Sequence, residues 1–532
     1  MGTKLDKNNY PKGHASSDFE CFGPAATKDG EFDACKIADL GCFTQEGKDS
    51  NKYYHGSVIK SKKNSKWYVY FEYGRTGSAI PQFQFVECSD ESDAQYEFAK
   101  QLHSKNDKRG EWVDLAGRRV LRAKKGEDCY LVRPMATRAT GLPDARKIAM
   151  NDGGKKIVIS STPKNTSQKF DPQTIQLMKD MNVGTISYTK SQIEGGAIPT
   201  QSSIDEARDV LTEAQKRLSK IGHDIKDQIK DKQLKELTYH LYSRVPKVKT
   251  VGSDESTWIL SSANIKDWMF DLDAYENALY AQNINPSSDD SIMDGFDIDM
   301  KWIDPDDEIG KFIHKWMPSA TRNKHGGIGK LKIHNIWSVK QNKFVDKFQA
   351  EVESIGKEID IKKILEFPLH QPNERPDLSD DVARKFKKSN VNMLFHGTRS
   401  VNVPGILREG LRLPKQLVGV VITGSLFGPG SYWADDWKKS VGYTSHKQSY
   451  YASGGGSVRN RESFMFVGDI VLGNPHTAKS SHGYTSAPRG CHSVFGKAGH
   501  SDMGYRDFLK NNEWIVYSIS QSRLKYLVEF SC

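Results

Sequence analysis

The hydrophobic period of this chain changes twice along its length, and that limits what it can fold into. Between residues 51 and 105 apolar and polar residues alternate in YYHGSVI, KWYVYFEYG and FQFV, which are rich in aromatic and β-branched side chains. That is the two-residue period of half-buried strands. Between 168 and 283 the period lengthens. Ile175, Met178 and Met181 share one helical face; Ala207, Val210, Leu211, Ala214, Leu218 and Ile221 form a second stripe, and Leu234, Leu237, Leu241 and Tyr242 a third. From residue 311 the two patterns mix, with IGKFIHKWM at helical spacing and KIHNIWSVK, FMFVGDIVLG, WIVYSIS and RLKYLVEF as strands. Blocks with different periods need different partners, so several domains are expected, and 532 residues allow about three or four at roughly 100–200 residues each. The fold class is therefore multidomain α+β: a small β-rich module, an all-α helical bundle, and an α+β domain with a largely antiparallel sheet.

Local signals refine this outline. Residues 1–50 have few periodic apolar positions and read as a poorly ordered N-terminal segment, with a strand near Ile37–Leu40. A helix is predicted from Ser92 to Leu102 after the first strands, closing a module over 51–109. Residues 110–167, with GRRVLRAKK and NDGGKK, form a basic linker holding one or two strands among VLRA, CYLVRP and KKIVIS. Asp171-Pro172 starts the helical run of 168–283, an acceptor at the cap followed by proline in the first turn. Ser203 to Glu206 has the spacing of a capping box, and Asp267 to Tyr280 is a further helix. The last domain spans 284–532. Its acidic opening, PSSDDSIMDGFDID, lacks the ligand order of a calcium loop and reads as a solvated linker entering a strand. Gly454–Gly456 reads as a loop.

Composition narrows the class of protein. Hydrophobic residues at 37% and charged residues at 27% suit folded domains. Neither a membrane-spanning apolar run nor a secretory leader is seen, so an intracellular protein without a membrane partner is expected. The seven cysteines are scattered without a CxxC pair, which fits reduced thiols better than a disulfide framework or a zinc module. The formal charge of +10 permits a nucleic-acid partner without requiring one.

Three segments carry chemistry-bearing residues: MLFHGTRS with His396 and Gly397, GSLFGPGSYWADDWKKSVGY with Tyr432, Ser440 and Tyr443, and NNEWIVYSIS with Glu513. Each alone is ambiguous, since a histidine after a strand is usually structural and a glycine-rich turn is usually only a turn. Together and in this order they resemble the catalytic domain of the poly(ADP-ribose) polymerase (PARP) family, whose His-Tyr-Glu triad falls on His396, Tyr432 and Glu513. GILREGLR, KSVGY, KIHNIWSVKQ and SQSRLKYLVEF agree as well. Residues 168–283 resemble the family's helical regulatory domain and 51–109 its WGR domain, with Tyr73-Gly74-Arg75 in place of Trp-Gly-Arg. The whole looks like a short, DNA-dependent form, closest to the family's mono-ADP-ribosylating member.

The resemblance implies a reaction and roles. NAD is the substrate, no metal is needed, and the nicotinamide–ribose bond breaks through an oxocarbenium-like transition state. By resemblance the Gly397 backbone and the Ser440 hydroxyl bind the nicotinamide amide, Tyr443 stacks on its ring and Tyr432 packs nearby. His396 holds the adenosine-side ribose, Glu513 the nicotinamide-side ribose and the developing charge, and Thr398, Asn402 and Arg412 lie along the adenosine side. Lys439 is either a pyrophosphate or acceptor contact or a solvated lysine. Tyr73 and Arg75 are the expected DNA contacts, with Lys62, Lys63 and Lys66 as further phosphate contacts or solubility lysines. Expected partners are DNA strand breaks and acceptor proteins including the chain itself, in the nucleus if the source is eukaryotic and otherwise in the cytoplasm. Asn511 stands two residues before the glutamate, where chain-extending relatives carry tyrosine, so mono- or short poly-ADP-ribose is expected. The competing readings are a catalytically degenerate DNA- or protein-binding relative, and an NAD glycohydrolase or toxin-like transferase with no DNA role.

Overall fold

The computed structural model describes residues 11–14, 18–21, 37–44, 52–75, 82–105, 111–115, 118–122, 128–134, 170–193, 198–199, 201–221, 224–245, 247, 259, 261–282, 292–321, 327–360, 371–372, 374–413, 426–447, 449, 458–459, 463–480, 482–499 and 509–532. The chain divides into two compact units, one of residues 1–161 and 189–279, the other of 162–188 and 280–532.

The first unit holds an eight-stranded sheet. Its strands are β1 (Phe19–Cys21), β2 (Ile37–Thr44), β3 (Lys52–Ser61), β4 (Trp67–Arg75), β5 (Gln82–Cys88), β6 (Glu111–Leu115), β7 (Arg118–Arg122) and β8 (Asp128–Pro134). The order is β5-β4-β3-β2-β8-β7-β6, with β1 also on β3, and the pairs are antiparallel. Alternation sends Val58, Val69 and Phe71 to one face, where Ala94 and Phe98 of the helix Glu91–Lys105 close over them. Gly56 lies so near this contact that a Cβ would sit 2.8 Å from the Phe98 ring. The strand expected near Ile37–Leu40 is β2, and those expected in VLRA and CYLVRP are β7 and β8; β1 and β6 come in addition. The strand expected in KKIVIS lies outside the described residues.

The same unit contains most of the helical run. Helices Gln201–Ile221 and Lys232–Arg244 pack on each other through their apolar stripes. Val210, Leu211, Ala214, Leu237 and Leu241 are fully buried there. Arg208 ties the first of them to Asp273 (2.7 Å) and Glu276 (2.9 Å) of the helix Ser262–Gln282. The capping box does not form as expected. The helix starts at Gln201, before Ser203, and the Glu206 carboxylate meets Arg244 Nε at 2.5 Å instead.

The second unit is α+β. Strands β9 (Ile298–Trp302), β10 (Lys332–Gln341), β11 (Val391–Gly397), β13 (Ser463–Val471) and β17 (Ser522–Ser531) form one sheet in the order β11-β13-β17-β10-β9. Strands β12 (Ser431–Trp433), β14 (Pro475–Thr477), β15 (Ser493–Gly496) and β16 (Glu513–Val516) form a second, ordered β12-β16-β15-β14. Only the β14–β15 pair among them is parallel. β13 is buried at every position, which makes FMFVGDIV a continuous apolar run rather than an alternating one. The start of the helix Pro172–Gln192 belongs to this unit, with Leu177, Met178 and Met181 in the cluster around Trp337, Leu394, Trp433 and Leu527. No described helix is long and apolar enough to cross a membrane.

Candidate active site

The three chemistry-bearing segments are drawn together by backbone hydrogen bonds. Phe395 of β11 exchanges two with Ala434, at 2.8 and 2.9 Å. Just before Ala434, Tyr432 and Trp433 of β12 face Ile515 and Trp514 of β16. Glu513 opens β16 opposite Gly496 of β15. His396, Tyr432 and Glu513 therefore stand on adjoining strands, and next to Glu513 the Phe495 and Trp514 rings stack at 4.0 Å.

Each member of the triad has its own supports. His396 Nδ1 lies 2.9 Å from the Tyr432 carbonyl. A carbonyl only accepts, so Nδ1 carries the proton and Nε2 is the acceptor. Burial pushes the imidazole pKa down, partly opposed by that carbonyl, which favours the neutral ring. The Tyr432 hydroxyl donates to the Gly428 carbonyl and accepts from the Phe427 amide, both at 2.9 Å. It is spent on holding the glycine-rich turn, which leaves the ring as the functional part. Gly428 has φ +82°, and a Cβ there would lie 1.9 Å from the Tyr484 carbonyl, so this turn position admits only glycine. Glu513 is paired with Lys439 Nζ at 2.9 Å. Lys439 is thus not a solvated lysine; its side chain is 10% exposed and also donates to the Asn512 carbonyl at 3.1 Å.

The expected nicotinamide contacts are brought close as well. A Cβ on Gly397 would fall 1.9 Å from the Ser440 carbonyl, so these two segments touch backbone to backbone. Ser440 is buried on the short helix Trp437–Val441, and the Tyr443 amide donates to the Ser440 carbonyl at 3.0 Å. Thr398 and Asn402 are buried just after β11. Arg412 is engaged locally, with Nε donating to Glu409 at 2.8 Å and Nη2 paired to the same carboxylate. A role on NAD would require that pair to open or to share its charge.

Sequence reasoning missed two residues here. Asn512 is 1% exposed, and its Nδ2 donates to Asp435 Oδ2 at 2.8 Å. Both sit inside the quoted segments YWAD and NEWIVY, but neither a lone Asn nor a lone Asp in a turn announces a partner far along the chain.

In the first unit, Tyr73 is half-buried against the cluster of Val58, Val69 and Phe71, so its ring is partly committed to packing. The Arg75 backbone pairs with Lys52 at the end of β4, and its side chain lies outside the described residues. Lys63 Nζ donates to the Gly13 carbonyl at 2.6 Å and Lys66 pairs with Glu87 at 2.5 Å, while both remain accessible.

Comparison with known proteins agrees with this architecture. Residues 311–532 match the poly(ADP-ribose) polymerase catalytic domain. Residues 41–117 match the WGR domain. The chain is similar to poly [ADP-ribose] polymerase 1 of Gallus gallus, 24% identical over 516 residues, covering 91% of this chain and 44% of that one. It is similar to poly [ADP-ribose] polymerase 2-A of Oryza sativa subsp. japonica, 23% identical over 530 residues, covering 92% and 69%. It is also similar to protein mono-ADP-ribosyltransferase PARP4 of Mus musculus, 35% identical over 149 residues, covering 27% and 7%. The chain spans 44%, 48% and 45% of the three polymerase 1 relatives from chicken, Xenopus laevis and Arabidopsis thaliana. The chain carries a PARP catalytic domain and a WGR domain.

Proposed function

We propose that this chain is an NAD-dependent ADP-ribosyltransferase that responds to DNA strand breaks and modifies proteins, itself included, with mono- or short poly-ADP-ribose. The observation that carries the reading is the convergence of His396, Tyr432 and Glu513 on adjoining strand ends, with Gly397 and Ser440 in contact beside them. In this reading the Gly397 backbone and Ser440 hydroxyl hold the carboxamide of NAD, and the Tyr443 and Tyr432 rings flank the cationic nicotinamide. The neutral His396 accepts from a ribose hydroxyl. The glycosidic electron pair leaves with nicotinamide, positive charge grows on the ribose, and the Glu513 carboxylate lies beside it. An acceptor oxygen then bonds to the ribose carbon as Glu513 takes or steers its proton.

The WGR domain supports the DNA response, with Tyr73 and Arg75 as the contact residues proposed from the family resemblance. Chicken and rice relatives named as polymerases over most of this chain support the transferase reading. Asn511 supports short products. Work on DNA breaks would put the protein in the nucleus of a eukaryotic cell.

One experiment tests the reading: NAD labelled in its adenosine half, with and without nicked duplex, on wild type and Glu513→Gln. Wild type is expected to label itself, faster with DNA, as a compact band. Glu513→Gln should lose about 100–1,000-fold in rate, the usual cost of one transition-state electrostatic contact, while still binding NAD. A variant within twofold of wild type removes Glu513 from the chemistry. Equal rates with and without DNA remove the DNA response, and long ladders remove the short product.

A further inference from the structure

Among the described residues, Lys439 meets the Glu513 carboxylate, and Asn512 directly precedes it, just before β16. Asn512 is 1% exposed, and all its side-chain polar groups are used. Its Oδ1 accepts from the Ala498 amide at 3.0 Å, and its Nδ2 donates to Asp435 Oδ2 at 2.8 Å. The two partners fix the amide's orientation, because a backbone N–H only donates and a carboxylate only accepts. The Asn512 carbonyl accepts from Lys439 Nζ at 3.1 Å, and the same ammonium meets the Glu513 carboxylate at 2.9 Å. Asp435 is also 1% exposed. It directly precedes Asp436, whose side chain accepts the Lys438 amide at 2.9 Å and caps the short helix bearing Lys439 and Ser440.

We infer that Asn512 and Asp435 form a buried clamp that aims the Glu513 carboxylate and fixes its distance from Ser440. This rests on the transferase reading above and adds two positioning residues to it; neither touches substrate. The clamp joins the strand that presents the ribose-side carboxylate to the segment that presents the nicotinamide-side hydroxyl. The two ends of the breaking bond are thereby referred to one rigid frame. Aspartate at position 512 would keep the bond to Ala498 but would set a second buried carboxylate against Asp435, whereas alanine would abandon both partners.

The test is a double-variant cycle on the full chain. Asn512→Asp, Asp435→Asn and the double variant are compared with wild type for kcat, KM for NAD, and thermal-shift binding of NAD. Asn512→Asp should lower kcat about 100-fold, the scale of a misplacement near 1 Å, with KM changed less than threefold. Asp435→Asn keeps an acceptor oxygen for Asn512 and should lose less than fivefold. The double variant restores an amide–carboxylate pair with the roles exchanged and should recover at least tenfold of the loss. If Asn512→Asp does not fold, Asn512→Ala replaces it, with an expected kcat loss of about tenfold at unchanged KM. The clamp is overturned if the folded Asn512 variant keeps kcat within twofold, if KM carries the whole loss, or if the double variant recovers nothing. Wild type with no NAD turnover would instead overturn the transferase reading and the clamp with it, so the two failures are told apart.

Discussion

Two stretches of one helical run meet different fates. The helix Pro172–Gln192 opens with Asp171, which accepts from the Thr174 amide at 2.7 Å and from the Trp302 amide of β9 at 3.0 Å. Its Leu177, Met178 and Met181 are fully buried among strand residues of the second unit. Val458 lies so close that a Cβ on Gly184 would come within 2.5 Å of it, and Arg459 joins Asp180 at 2.6 Å to the fully buried Glu529 at 2.9 Å. The helices Gln201–Ile221 and Lys232–Arg244 bury similar apolar stripes, but against each other. Their polar ties, such as Arg208 to Asp273 and Glu276, have partners 27% and 16% exposed. Apolar helical faces thus serve two ends: the helix Pro172–Gln192 is part of the second unit's core, and the other two bury their stripes against each other.

The strongest way to break this comparison is deletion. Removing 168–283 takes away the three buried side chains of the first helix. Each Leu or Met lost to Ala in a core costs about 2–5 kcal/mol, against a total stability of about 5–15 kcal/mol. That deletion is expected to leave a catalytic unit without a cooperative thermal transition. Removing only 189–279, with a flexible linker between the ends, should keep the transition and NAD binding. Equal melting of the two deletions would mean that the first helix is not core.

The next test compares one arginine in each stretch. Arg459→Ala strands Glu529, whose only other described partner is Asn335 Nδ2 at 2.7 Å. Breaking a buried ion pair by removing one partner costs about 3–5 kcal/mol. Arg208→Ala leaves carboxylates that reach water and should cost about 1 kcal/mol, close to an exposed pair. Urea unfolding of both variants checks the order, and equal losses would erase the distinction between the stretches.

Why was this division invisible in the sequence while the triad was not? A helical period says that one face is apolar; it does not say what covers it. Ile175, Met178 and Met181 read no differently from Val210 and Leu211. The Asp171-Pro172 start was legible because its cap is a bond to the fourth residue of its own turn. The Ser203–Glu206 box failed because Arg244, far along the chain, takes the glutamate. VLRA within GRRVLRAKK was legible as a strand despite its charge, and Arg118–Arg122 pairs with both neighbours as β7. His396, Tyr432 and Glu513 stood out because contiguous motifs carry them. Asn512 and Asp435 did not, since their value lies wholly in a contact.

The smallest effect sharpens the comparison through pH. Asp231 caps the helix Lys232–Arg244, accepting the Leu234 amide at 2.8 Å, and is paired with Arg217, whose Nε lies 3.0 Å away. The Arg217 hydrogen bond holds its pKa below the ordinary carboxylate value, against the upward push of burial. A lowered carboxylate pKa contributes stability that is complete above the unfolded value and is lost as pH falls through the folded one. Replacing the cap, Asp231→Ala, should cost about 0.5–2 kcal/mol at neutral pH, and that difference should shrink from about pH 4 downward. Asp469 in the catalytic unit behaves otherwise. Burial would raise it, but Arg375 at 2.7 Å and Arg523 at 2.6 Å pull it down to about 2. Its contribution should therefore persist to lower pH than that of Asp231. Thermal melts at pH 7 and pH 3.5 of wild type, Asp231→Ala and Asp469→Asn check this. The deficit of the Asp231 variant should narrow between pH 7 and pH 3.5, and that of the Asp469 variant should narrow less. Equal narrowing in both would mean that the two carboxylates are held alike, and that the second unit's buried charges are no better protected than a helix cap in the bundle.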